Sequence, residues 1–148
     1  MKTDMARILV VDDDKLIRWS LSAAFGEEGH AVDTASSVSE AVSLARSRSY
    51  RLIVADLEIR DESGPEMLKE IRRIRPGIPV IVISALSRQR IADKLEELAV
   101  EGFFSKPFET KELKAAAGKV LQTAKEDDKP DEGPASRIEY RSKTNKEV

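Results

Sequence analysis

Apolar runs of strand length alternate five times with segments of helical spacing, and this alternation restricts the fold more than any other feature of the chain. The runs are 8–11, 31–35, 51–56, 78–84 and 103–105. Between them, Ile17, Leu21, Ala24 and Phe25 form a stripe that Gly26 and Gly29 terminate, and Val38, Ala41, Val42 and Ala45 form a second. Ser37 and Glu40 are spaced as a capping box at the start of that second helix. Met67, Leu68, Ile71 and Ile74 mark a helix over 64–75 that "RPG" stops, and Ile91, Leu95 and Leu98 mark the next. Leu113, Ala116, Ala117, Val120, Leu121 and Ala124 mark the last. Parallel neighbours need crossovers, and right-handed crossovers put helices on both faces of a sheet. The expected fold is therefore α/β: a doubly wound, five-stranded parallel sheet with helices on both faces.

In such sheets ligands bind beyond the carboxyl ends of the strands. The first strand ends in Asp12 and Asp13, the third in Asp56, the fourth in Ser84 and the fifth in Lys106. Three acids beside one another repel unless a cation sits among them. Two or three carboxylates at one rim make a hard oxygen site that suits Mg²⁺, with Mn²⁺ as an alternative. A lysine and a hydroxyl facing the same point would contact the other oxygens of a phosphoryl group. Asp56 stands alone at the end of a buried strand, so it is the candidate nucleophile for an aspartyl phosphate, while Asp12 and Asp13 form a pair suited to the metal.

Composition removes several other functions. The net charge of −2 gives no basic excess to attract nucleic acid, and the absence of cysteine removes disulfides, thiolate metal sites and cysteine nucleophiles. Asp12 cuts the amino-terminal apolar run far short of a signal peptide or membrane span, so no membrane contact and a cytoplasmic location are expected.

The stretches "ILVVDDD", "LIVADLEIRDESG", "VIVISA" and "FFSKPF", in that order and spacing, resemble the receiver domain of bacterial two-component response regulators over residues 6–124. "DDDKLIRWSL" resembles the opening of receivers in the NtrC-type subfamily of sigma-54 activators. The resemblance implies a flavodoxin-like sheet of order 2-1-3-4-5. It also implies a signalling switch, not an enzyme beyond Mg²⁺-dependent self-phosphorylation and self-dephosphorylation. Asp56 would be the phosphoacceptor, Asp12 and Asp13 the acidic pair, and the main-chain carbonyl of Glu58 a further metal ligand. Ser84 would be the switch hydroxyl, Phe103 the switch aromatic and Lys106 the phosphate-contacting lysine. The donor would be a sensor histidine kinase or phosphotransfer protein. The face of the fourth helix, fifth strand and fifth helix would report the change to a partner, such as a second receiver in a homodimer.

Three positions depart from the family pattern. Arg60 stands where most receivers have proline, which implies a less constrained loop after the third strand. Glu58 and Leu86 flank the expected path of the water that attacks the acyl phosphate, and Leu86 offers that water no hydrogen bond, which implies slow self-dephosphorylation. Plainer readings also exist. Asp14 reads as a helix N-cap, Lys106-Pro107 alone would be a turn, and Phe103 alone would be core. His30 reads as solvated and idle, Trp19 as partly exposed, and "RSRSYR" (46–51) as a solvated helix end. A degenerate receiver that only binds a partner is the main alternative. An aspartate-nucleophile phosphatase fits less well, because its nucleophile would end the first strand. Residues 125–148 carry seven acids, six bases and four apolar residues, too few to bury, and read as a charged, disordered linker or tail after a domain of residues 1–124.

Overall fold

All five apolar runs become strands and all five periodic segments helices in the computed structural model, which describes residues 5–127. The strands of the main sheet are β1 (Arg7–Val11), β2 (Ala31–Ala35), β3 (Leu52–Asp56), β6 (Val80–Ser84) and β7 (Gly102–Ser105); two short strands, β4 (Glu58–Ile59) and β5 (Glu62–Ser63), lie between. The helices are α1 (Lys15–Glu27), α2 (Val38–Ser47), α3 (Gly64–Ile74), α4 (Arg88–Leu98) and α5 (Thr110–Asp127). The sheet is parallel with order β2-β1-β3-β6-β7, which is 2-1-3-4-5 once the short hairpin is set aside.

The two-residue period of the strands divides the core in two. Ile8, Val10, Leu52, Val54, Ile81 and Ile83 face α1 and α5, where Leu21, Phe25, Leu113, Ala117 and Leu121 cover them. Leu9, Val11, Ile53, Ala55, Val80 and Val82 face α2, α3 and α4. Because β3 and β6 are covered on both sides, all their residues are buried, which explains their unbroken apolar sequence. The edge strand β2 is only partly covered and keeps polar residues.

The expected caps form with one adjustment. Asp14 accepts the Leu16 N–H at 2.9 Å, and Ser37 Oγ accepts the Glu40 N–H at 3.2 Å. Glu40 reaches back to the N–H of Ser36 instead of Ser37.

Three expectations need correction. His30 is buried and its Nδ1 accepts the Ala6 N–H at 3.1 Å, so it is a satisfied core group that ties β1 to the turn after α1. The 46–51 segment is more than a solvated helix end: Tyr50 is buried and donates to Asp33 at 2.7 Å, Arg48 pairs with the same carboxylate, and Arg51 donates to the Leu121 carbonyl. The loop after β3 is pinned, not loosened, because β4 and β5 pair antiparallel across it. Trp19 is exposed, as expected. The Ala124 side chain and the tail from residue 128 onward lie outside the described residues. Among the described residues, no helix is long and apolar enough to cross a membrane.

Candidate functional site

The parallel register brings the strand ends to one rim. Asp12 follows β1 and donates its N–H to the Ala35 carbonyl at 3.1 Å, which extends the β1–β2 ladder by one bond and fixes where the acid emerges. Asp56 closes β3 beside Ile83 of β6, and Ser84 closes β6 beside Ser105 of β7. Lys106 continues from β7, its N–H bonded to the Ser84 carbonyl at 2.8 Å. Its peptide bond to Pro107 is cis.

Asp12, Asp13 and Asp56 each offer a carboxylate oxygen to a common point, these oxygens lying within 4.8 Å of one another. A main-chain N–H occupies one oxygen of each acid: Asp14 on Asp12 Oδ1 at 2.8 Å, Glu58 on Asp56 Oδ1 at 2.9 Å, and Arg60 on Asp13 Oδ2 at 3.0 Å. The Lys106 ammonium lies 2.7 Å from Asp56 Oδ2 and 3.0 Å from Asp12 Oδ2. It donates an aligned hydrogen bond to Asp56, whereas its approach to Asp12 Oδ2 is Coulombic and leaves that buried oxygen without an aligned donor. A hard divalent cation is the species such an oxygen set fits.

Burial raises the affinity of Asp12 and Asp56 for protons, and the neighbouring N–H groups and Lys106 only partly offset it. Burial pulls the Lys106 ammonium the other way, but its two aspartates outweigh this and hold its pKa above the usual lysine value. One ammonium thus serves two buried carboxylates, and negative charge is in excess.

Ser84 is fully buried, and its Oγ accepts the Leu86 N–H at 3.0 Å, which leaves the hydroxyl proton free to donate. Phe103 is half-buried against the α2–α4 side of the core, and the Arg88 guanidinium sits 5.1 Å from its ring centroid. The Glu58 side chain is exposed and Leu86 partly buried. Gly64 is required by close approach: a Cβ there would lie 2.5–2.7 Å from the Leu57 backbone, directly after Asp56. Two contributors escaped the sequence reading. Arg18 donates to the Asp12 carbonyl at 2.7 Å, and Arg60 uses its main chain. A long cation one turn into α1 gives a weak signal for the first. The second has none.

Strand order and an acid–lysine cluster on the carboxyl rim define the class, a doubly wound α/β domain whose polar site is built from strand ends. Within that class, the chain belongs to the response regulator receiver domain family, whose model matches residues 8–118. It is 34% identical over 118 residues to the DNA-binding transcriptional regulator NtrC of Azospirillum brasilense, covering 80% of this chain and 24% of that one. Identity to the transcriptional regulatory protein PmrA of Pectobacterium parmentieri is also 34% over 118 residues, covering 78% of this chain and 52% of the relative. The chain thus spans about half or less of these relatives. Among solved structures, NtrX from Brucella abortus superposes with a TM-score of 0.76 at 31% identity, over 82% of this chain and 28% of NtrX. A CheY-like receiver domain protein from Methanospirillum hungatei superposes with a TM-score of 0.78 at 22% identity, over 84% of this chain and 99% of that one, which speaks for the fold alone.

Proposed function

We propose that the chain is a phosphorylation-controlled switch of a two-component system that accepts a phosphoryl group on Asp56. The observation that carries this reading is the meeting of three carboxylates with a single ammonium: Lys106 bridges Asp12 and Asp56 while Asp13 offers its oxygen beside them. An Asp56 carboxylate oxygen forms the new O–P bond as the P–N bond of a phosphohistidine on a sensor kinase or phosphotransfer protein breaks, its electron pair returning to the imidazole. Asp12, Asp13, Asp56 and the main-chain carbonyl of Glu58 would hold Mg²⁺, or Mn²⁺ in its place, and the bound ion would neutralise charge on the phosphoryl oxygens. Lys106 and the free Ser84 proton take the remaining oxygens.

The phosphoryl group brings a charge of about −1.5 to −2. Drawing Ser84 and Lys106 toward it opens space behind Ser84 for Phe103, and α4, β7 and α5 present the changed face to a partner, a second receiver copy or an output domain. The names of the relatives support a transcriptional output. A cytoplasmic setting, and residues 125–148 as linker or tail after a receiver of residues 1–124, belong to the same reading. Direct nucleic-acid or membrane binding has no part in this reading. Leu86 offers no hydrogen bond to an attacking water and the Glu58 side chain stands at the solvent edge, so the acyl phosphate is long-lived.

The test is to incubate the full chain with a small acyl phosphate with and without Mg²⁺. Mass spectrometry is expected to find one added phosphoryl group on Asp56, only with the metal, and none in Asp56→Asn. Modification of that variant, or equal modification without metal, would favour another acceptor; no modification of the unaltered chain would favour the degenerate, binding-only receiver. Leu86→Glu is expected to change the rate of phosphate loss about 10-fold or more; an unchanged rate removes Leu86 from its role.

A further inference from the structure

The three site acids are held in different ways. Asp12 and Asp56 each receive a main-chain N–H from the residue two positions onward, a bond the local chain makes unaided. Asp13 receives its N–H from Arg60, 47 residues away in sequence. Arg60 has φ of 56°, in the left-handed region that non-glycine residues enter only at an energetic cost.

Its surroundings impose that conformation. Arg60 sits in the turn between β4 and β5, flanked by the fully buried Ile59. The far side of the hairpin is fastened by Glu62, whose Oε1 accepts the Val38 N–H at 3.0 Å at the start of α2. The Arg60 side chain itself is exposed. Proline could supply neither feature, since its ring fixes φ near about −65° and removes the N–H.

We propose that the main-chain N–H of Arg60 is the positioning group for Asp13, and that the left-handed turn at Arg60 sets the affinity of the acid cluster for Mg²⁺. This rests on the metal-dependent reading above. Asp13 is the least buried of the three acids and has no partner within its own segment to orient it. With Oδ2 held by the Arg60 N–H, Oδ1 would be left for the metal, since hydrogen bonds to ligating carboxylates orient them. The hairpin also links the site to α2 through Glu62, independently of Ser84 and Phe103.

The experiment measures Mg²⁺ dissociation constants of the full chain by titration calorimetry. Arg60→Gly keeps the N–H and relaxes the backbone, and is expected to bind within about twofold of the unaltered protein. Arg60→Pro is expected to bind about 10- to 100-fold more weakly. Arg60→Val keeps the N–H but resists positive φ, and is expected to fall between them, which preserves the test should the proline variant fail to fold. In an Asp13→Ala background the Arg60 substitutions are expected to have no further effect. Unaltered affinity in both the proline and valine variants overturns the proposal, as does a loss that persists in full without Asp13. Absence of Mg²⁺ binding by the unaltered chain would overturn the metal-dependent reading itself, and this proposal with it.

Discussion

Two aspartates on neighbouring parts of the same sheet meet opposite fates. Asp33, midway along the edge strand β2, is opposed by burial but more than compensated by the Tyr50 hydroxyl, Arg48 and Arg7, which hold its carboxyl below the usual range. Asp56, at the carboxyl end of β3, is pushed up by burial, and one shared ammonium does not restore it. The same side chain stabilises the fold at one place and strains it at the other. The Asp33 carboxylate is satisfied by the protein, whereas the acids at the carboxyl rim leave room for a ligand charge. Polar residues that the fold alone would not choose mark where something else completes the structure.

The substitution with the largest expected effect on stability is Gly64→Ala. Its Cβ would press on main-chain atoms of Leu57 that cannot swing away, so a loss of roughly 1–3 kcal/mol is expected. Denaturant unfolding checks this, and loss of phosphoryl uptake in the still-folded fraction would show that the loop after Asp56 moves with it. Asp33→Ala follows: leaving the buried Tyr50 hydroxyl without its acceptor is expected to cost about 1–2 kcal/mol. A neutral result would erase the contrast between the two aspartates.

Asp56→Asn sharpens the contrast by its sign. Removing the excess buried charge is expected to stabilise the metal-free protein at neutral pH. The sign follows from a folded pKa above the ordinary 3.8: the contribution of Asp56 is complete below that value and is lost as pH rises through the higher folded pKa. Asp33 behaves inversely, contributing above 3.8 and losing that contribution as pH falls through its lower folded pKa.

His30 gives the smallest effect. Burial lowers its pKa, with Glu28 opposing and Arg51 assisting. Its contribution is complete above the ordinary value of 6.5 and declines as pH falls from there toward the folded pKa. His30→Asn keeps an acceptor for the Ala6 N–H but no titrating proton, so its melting temperature is expected to lose the pH dependence of this window. An unchanged pH profile would assign that dependence to another group.

Much of this was legible in the sequence because the signals were periodic or terminal. Buried parallel strands read as unbroken apolar runs, and the residues that end them, Asp12, Asp13, Asp56, Ser84 and Lys106, line the rim because the strands run parallel. Gly64 closes the stretch "LIVADLEIRDESG", eight residues after Asp56. The hairpin at 58–63 was hidden because six residues with only one buried apolar side chain have no period to detect. Arg60 was read as a missing proline, but it contributes a main-chain N–H at positive φ, which no local pattern encodes for arginine. His30 and Tyr50 were misread for a related reason: each finds its polar partner on another element, at sequence separations of 24 and 17.

The most direct measurement is thermal unfolding of the unaltered chain and of Asp56→Asn across a Mg²⁺ titration. Without metal, Asp56→Asn is expected to melt higher. As Mg²⁺ rises, the unaltered chain gains stability by mass action, about 2.7 kcal/mol at one hundred times its dissociation constant, while the variant gains much less. The two curves are therefore expected to cross. An unaltered chain whose melting does not respond to millimolar Mg²⁺, or an Asp56→Asn variant that is the less stable protein without metal, would contradict a carboxyl rim built for a ligand at the expense of the fold.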